Sequence, residues 1–141
     1  MAQHSAPPPD GRSLTARVMT AARQVGAAIE AQLAPEQLGV DDWLVIEALA
    51  EVPELAMSEL RSRTLTSAPT LTRVIDRLVT RALVYREVDA EDRRRVRLQL
   101  SKRGIELYRR LAPNIQAAEH SWLTENPEPA AVPWLGAGFA R

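Results

Sequence analysis

Four arginines fall within five positions, at Arg93, Arg94, Arg95 and Arg97. Upstream, Arg73, Arg77 and Arg81 recur every fourth residue, the spacing that places side chains on one side of a helix. No cysteine occurs in the 141 residues, and the two histidines, His4 and His120, lie far apart in sequence. Such a set offers little to proton transfer, nucleophilic attack or metal ligation. Its chemistry is anion recognition. A guanidinium is planar and permanently charged, and it donates in pairs to phosphate oxygens or to the O6/N7 edge of guanine. Lys102 is the one lysine among the 18 cationic side chains. GC-rich coding would give that bias, but it does not decide where the charges sit. Residues 61–110 hold 14 Lys+Arg and 6 Asp+Glu, residues 1–60 hold 3 and 9, and residues 111–141 hold 1 and 3. A chain of zero net charge is thus polarised, and a polyanion is the ligand that its basic module suits.

The elements that must position these arginines can be read from periodicity. Ser67 and Pro69 suit the first turn of a helix. Leu71, Val74, Ile75, Leu78 and Val79 then recur at helical spacing, with Thr70, Arg73, Arg77, Thr80 and Arg81 on the opposite face. Residues 83–88 are rich in β-branched and aromatic side chains and predict a strand. Asp89, Ala90, Glu91 and Asp92 make a polar turn. From 95 to 100 the sequence alternates, with Val96, Leu98 and Leu100 on one face and Arg95, Arg97 and Gln99 on the other. The expectation is helix, arginine-tipped β-hairpin, helix. Residues 57–63 predict a short helix just upstream, and Leu65, in the turn between the two helices, is expected to plug the gap between them. A short helix, a tight turn and a helix with a basic N-terminal half make a helix-turn-helix. The fold class that follows is mainly α with a small β-hairpin wing, a winged helix-turn-helix between long flanking helices.

Those flanking helices are predicted at 13–34, capped by Ser13 and ended by Pro35, and at 102–123, opened by Ser101 and Gly104 and kinked at Pro113. A further helix is predicted at 40–50, with a break at 52–54. The apolar stripe of the first helix is longer than a small module needs for its own core, so it is expected to pack on residues 102–123 or on a second chain. Residues 1–12 read as a disordered leader and 124–141 as a Pro- and Gly-containing tail. No run of about eighteen apolar residues and no signal-peptide core appears, so a cytoplasmic protein without membrane spans is expected. No cofactor or metal is expected.

Three segments carry a resemblance. LTRVIDRL at 71–78, RALVYR at 81–86 and DAEDRRRVRLQLSKRG at 89–104 resemble the MarR family of bacterial transcription regulators. LGVDDWLVIEALAEVPELAMSEL at 38–60 is similar to that family's second and third helices. The likeness covers about 14–123, with the DNA-binding core at about 40–101 and the dimerisation helices at 13–34 and 102–123. It implies a homodimer bound to double-stranded DNA at a pseudo-palindromic operator, acting as a repressor that a small, often aromatic, effector releases. It implies base contacts by Pro69, Thr70 and Arg73, and minor-groove or phosphate contacts by Arg93 and Arg94. The chain departs from the family at Ala82, where glycine is usual, and at the tail, where a helix is usual.

Residue by residue, each role has a plainer rival. Arg73 is expected to bind guanine, or else to pair with Asp76 three residues on. Arg77 is expected to meet phosphate, or else solvent. Arg95 and Arg97 face either the duplex backbone or water. Ser67 bonds a phosphate or caps its helix, and Asp92 orients Arg94 and tightens the turn. Met19, Trp43 and Tyr108 are implied as walls of an effector pocket, or else as core. At the level of the whole chain, the rival to a DNA-binding regulator is an interaction protein that keeps the fold and pairs with another regulator or sensor. Enzymatic function is excluded by the lack of a nucleophile–base pattern, a phosphate-binding loop or a metal-ligand cluster.

Overall fold

Ser13, Ser67 and Ser101 each stand just before a helix, and each side chain accepts a hydrogen bond from the amide three residues on. These caps satisfy amides that the first helical turn leaves unpaired, and so fix where the three longest helices begin. The computed structural model describes residues 11–126. It holds α1 (Leu14–Leu33), α2 (Val40–Glu51), β1 (Leu55–Ala56), α3 (Met57–Thr64), α4 (Ala68–Thr80), β2 (Val84–Val88), β3 (Val96–Leu100) and α5 (Lys102–Glu125). A 3-10 turn at Ala34–Glu36 links α1 to α2. Most of the leader and most of the tail lie outside the described residues.

The long helices α1 and α5 pack on one another, while α2, α3, α4 and the sheet form a second packed group. One continuous core joins the two. Leu33 of α1, Ile46 and Leu49 of α2, Leu60 of α3, Ile75 and Leu78 of α4, Leu98 of β3 and Ile115 of α5 are all fully buried. Each such side chain removes apolar surface worth about 1.5–3 kcal/mol.

The expected hairpin gains a third strand. The sheet order is β1-β3-β2, all antiparallel, with Val84 opposite Leu100, Val88 opposite Val96 and Leu55 opposite Leu98. α5 also differs from expectation, running past Pro113 to Glu125 and so two residues into the stretch assigned to the tail.

The root of the wing is built around one carbonyl. Ala82 adopts a left-handed conformation, φ 57°. The turn that glycine usually makes is therefore kept in its left-handed form rather than altered, at a cost of about 1 kcal/mol. The Leu83 carbonyl that follows accepts from the Ser101 amide at 2.9 Å and from its hydroxyl at 3.2 Å, and the same hydroxyl lies 2.6 Å from the Ala82 carbonyl. A Cβ on Gly104 would come within 2.2 Å of that Leu83 oxygen, so only glycine lets α5 start here.

Leu65 contradicts its expected role. It is 89% exposed, with φ 51°, and caps α3 with its amide bonded to the Arg61 carbonyl. The left-handed backbone turns its side chain away from the two helices, and Leu60 and Leu71 fill the interior instead.

Candidate nucleic-acid interface

The polar half of α4 begins at Ser67, whose oxygen accepts from the Thr70 amide at 3.4 Å and lies 2.9 Å from the Thr70 hydroxyl. Pro69 sits in the first turn, where its missing N–H costs no helical bond. Arg73 lies one turn on, exposed, with Nη2 3.4 Å from the Thr70 hydroxyl. Its anticipated partner Asp76 is engaged elsewhere, by Arg86 of β2. Among the described residues Arg73 makes no ion pair with a carboxylate, and exposed Pro69 and Arg73 flank a half-buried Thr70 at the helix start.

The wing tip is closed by its own backbone. The Asp89 amide donates to the Arg95 carbonyl at 3.0 Å, and the Arg95 amide to the Asp92 carbonyl at 2.9 Å, which leaves Arg93 and Arg94 as the two central residues of a tight turn. Asp92 Oδ1 accepts from the Arg94 amide and Asp89 Oδ1 from the Glu91 amide, both at 3.0 Å. Side chains of this type fold loops by taking up amides two residues on. The Glu91 amide in first place, aided by the charges of Arg97 and Arg95, holds the Asp89 carboxyl below its ordinary value of 3.8. Arg93, Arg94 and Arg95 are exposed. Arg97 is partly exposed, and its Nε faces Glu54 at 3.6 Å and Asp89 at 3.7 Å.

Arg77 has a partner on the protein: its Nε and Nη2 reach Asp42 Oδ1 at 3.2 and 2.6 Å, while its side chain stays 51% exposed. Asp42 is 2% exposed. Its other oxygen accepts from the Gly39 amide at 2.8 Å, at the start of α2. A carboxylate so enclosed needs a charged partner, and α4 supplies it. Arg81 likewise bonds back to the protein, donating from Nη1 to the Gln37 carbonyl at 3.1 Å and from Nη2 to the Glu36 carbonyl at 2.7 Å.

The residues expected to wall an effector pocket do not meet as a set. Trp43 is buried and stacks on Tyr108, ring centroids 5.4 Å apart and planes 16° from parallel. Met19 is half-exposed on α1 and belongs neither to the core nor to the apolar residues packed on it. Beside the ring pair, Glu47 is raised above the usual glutamate value of 4.5, first by burial and then by Glu119 and Glu51. Burial raises Glu119, and burial followed by Glu47 and Glu51 raises the Tyr108 hydroxyl. A separate cleft of about 410 Å³ opens between the start of α3 and the wing, lined in part by Met57, Arg86, Arg94 and Arg95.

Comparison with known proteins fits this geometry. A sequence model of the MarR family matches residues 37–95, from just before α2 to the wing tip. Over that stretch the chain is similar to the MarR family. Over 76 residues, the chain is 32% identical to the homoprotocatechuate degradative operon repressor of Escherichia coli. That match takes in 54% of the chain and 51% of the relative, so the chain spans about half the length of the curated relatives it matches. The fold is that of wild-type MarR from Escherichia coli, with TM-score 0.77 at 18% identity over 92% of this chain and 98% of the other. It is also that of NadR in complex with 4-hydroxyphenylacetate, with TM-score 0.75 at 22% identity over 100% and 99%. No helix among the described residues is long and apolar enough to cross a membrane.

What the sequence left out of this site is its inward bracing. Asp42, Arg81 and Arg86 were not singled out as partners. The signal for Asp42 was present, an acid three residues after Gly39 where it caps a helix, but its partner Arg77 is 35 positions away.

Proposed function

We propose that the chain is a homodimeric regulator that binds double-stranded DNA sequence-specifically, and that it represses transcription until a small aromatic acid releases it. The observation that carries this reading is the unengaged strip at the start of α4 beside a preformed, arginine-tipped wing. Arg73 reads a guanine edge in the major groove, worth about 1–3 kcal/mol of discrimination. Pro69 and the Thr70 methyl meet a thymine methyl. Arg93 and Arg94 enter the adjacent minor groove, best where it is narrow and A·T-rich, and Arg95 neutralises phosphate. Ser67 caps α4 first and reaches a phosphate only through its exposed edge.

The second copy is supported by α1, which leaves Leu14 70% exposed and Val18 and Met19 open to solvent. Contiguous apolar surface of this kind marks an interface. A cytoplasmic location follows from a chromosomal target. An aromatic acid is supported by two names, since one relative represses an operon for degrading homoprotocatechuate and NadR holds 4-hydroxyphenylacetate. In a dimer, the Trp43–Tyr108 pair and Met19 would wall its pocket.

Binding to duplexes selected from random sequence tests the reading. Log affinity should fall steeply with log salt, with a slope of about −0.9 for each phosphate neutralised. Arg73→Ala should weaken selected duplexes about 10- to 100-fold more than random ones. Arg95→Ala should weaken both alike and lower the slope by about one phosphate. Equal losses for Arg73→Ala on all duplexes would remove its base-reading role, and indifference of the parent protein to DNA in dilute buffer would end the proposal.

A further inference from the structure

Two arginines of the recognition helix α4 bond back to the protein, Arg77 with its side chain still 51% exposed, and a third on α5 reaches the same short segment. Arg77 clamps the buried carboxylate of Asp42, whose other oxygen holds the Gly39 amide. One helical turn later, Arg81 spans the carbonyls of Glu36 and Gln37. From the other side, Arg110 of α5 donates to the Glu36 carboxylate at 2.6 Å. Residues 34–39 are thus gripped by the recognition helix and by a long helix at once. The segment is itself shaped for this. Gln37 holds a left-handed φ of 56°, and Leu38 is anchored in the core.

We propose that Arg77 and Arg81 are positioning residues, and that they act through the 34–39 segment to set the pose of α4 against α1 and α5. This inference rests on the DNA-binding reading above. A symmetric pair of recognition helices must present themselves about one helical turn of DNA apart, roughly 34 Å, so a small tilt of each helix misses the groove. The clasp removes that freedom. It also makes residues 34–39 the physical link through which a change at the long helices alters the fit to an operator. Contact alone does not establish coupling, and a mutant cycle does.

The test measures affinity for a selected and a random duplex at several salt concentrations. Arg77→Ala, Arg81→Ala and Arg110→Ala should each lose at least about tenfold on the selected duplex, a difference of 1.4 kcal/mol. The salt slope should stay as in the parent, and affinity for random duplex within about threefold. Arg77→Ala placed in Asp42→Asn should bind no worse than Asp42→Asn alone, because both remove one interaction. Should Asp42→Asn fail to fold, Arg110→Ala still decides, since it leaves that pair intact. A slope lowered by about 0.9 per arginine would make Arg77 or Arg81 a phosphate contact and overturn the inference. So would additive losses for Arg77→Ala and Asp42→Asn, or a silent Arg110→Ala. If the parent protein binds no duplex, the DNA-binding reading fails instead, so the two failures are told apart by the parent alone.

Discussion

Leu65 shows how a side chain's type can mislead when its backbone is unusual. An apolar residue between two helices suggests a plug, yet a left-handed φ sends it into solvent. Glycine occupies that conformation without the clash that a Cβ brings, although glycine also has more freedom to lose on folding. With the side chain almost wholly exposed there is little packing to forfeit. Leu65→Gly should therefore raise stability by about 0.5–1 kcal/mol, read as a higher urea midpoint at unchanged slope. A lower midpoint would mean that Leu65 packs on something. The arginines show a related ambiguity. Residue type marks Arg73, Arg77, Arg81 and Arg97 alike as anion binders, yet their partners in the structure differ. Arg77 answers a buried carboxylate, Arg81 two carbonyls, and Arg97 two carboxylates. A guanidinium does not reveal from sequence which kind of oxygen it will find.

At the scale of elements, legibility followed length and locality. α1, α4 and α5 were readable because each carries an apolar stripe over many turns and a serine cap at its start. The hairpin was readable from alternation along β3. β1 was not, since two residues have no period and Leu55 pairs with Leu98, 43 positions away. The α2–α5 contact, which the resemblance implied through Trp43 and Tyr108, has a consequence for pH. Glu47 and Glu119 face one another there, both raised above 4.5, with Glu51 adding to the repulsion on Glu47. The folded state then holds a proton that the unfolded chain releases more readily. Stability from this source is present below about 4.5 and is lost as pH rises through the raised value. Glu47→Gln should accordingly stabilise the protein at pH 7 and flatten that decline, with little effect at pH 4. Urea midpoints against pH would show it, and a parallel curve for the variant would deny it.

At the scale of the whole molecule, the proposed dimer has exposed apolar side chains to rest on. α1 presents Leu14, Val18 and Met19 to water, and α5 adds Ile105. Covering such surface at about 25 cal/mol per Å² is a sizeable drive to self-association. Sedimentation should find a dimer at micromolar concentration, and Val18→Asp should shift it toward monomer; a parent protein that sediments as a monomer there would contradict the pairing. The fold and the wing were in the sequence because they are local patterns. The clasp that ties one half of the molecule to the other was not, because it joins residues dozens of positions apart. The wing tip carries one more implication. Its bend is already locked by two aspartates and its own amides before any DNA arrives. A tip shaped in advance surrenders little freedom when it docks, so one site should differ from another in how long the protein stays rather than in how quickly it lands.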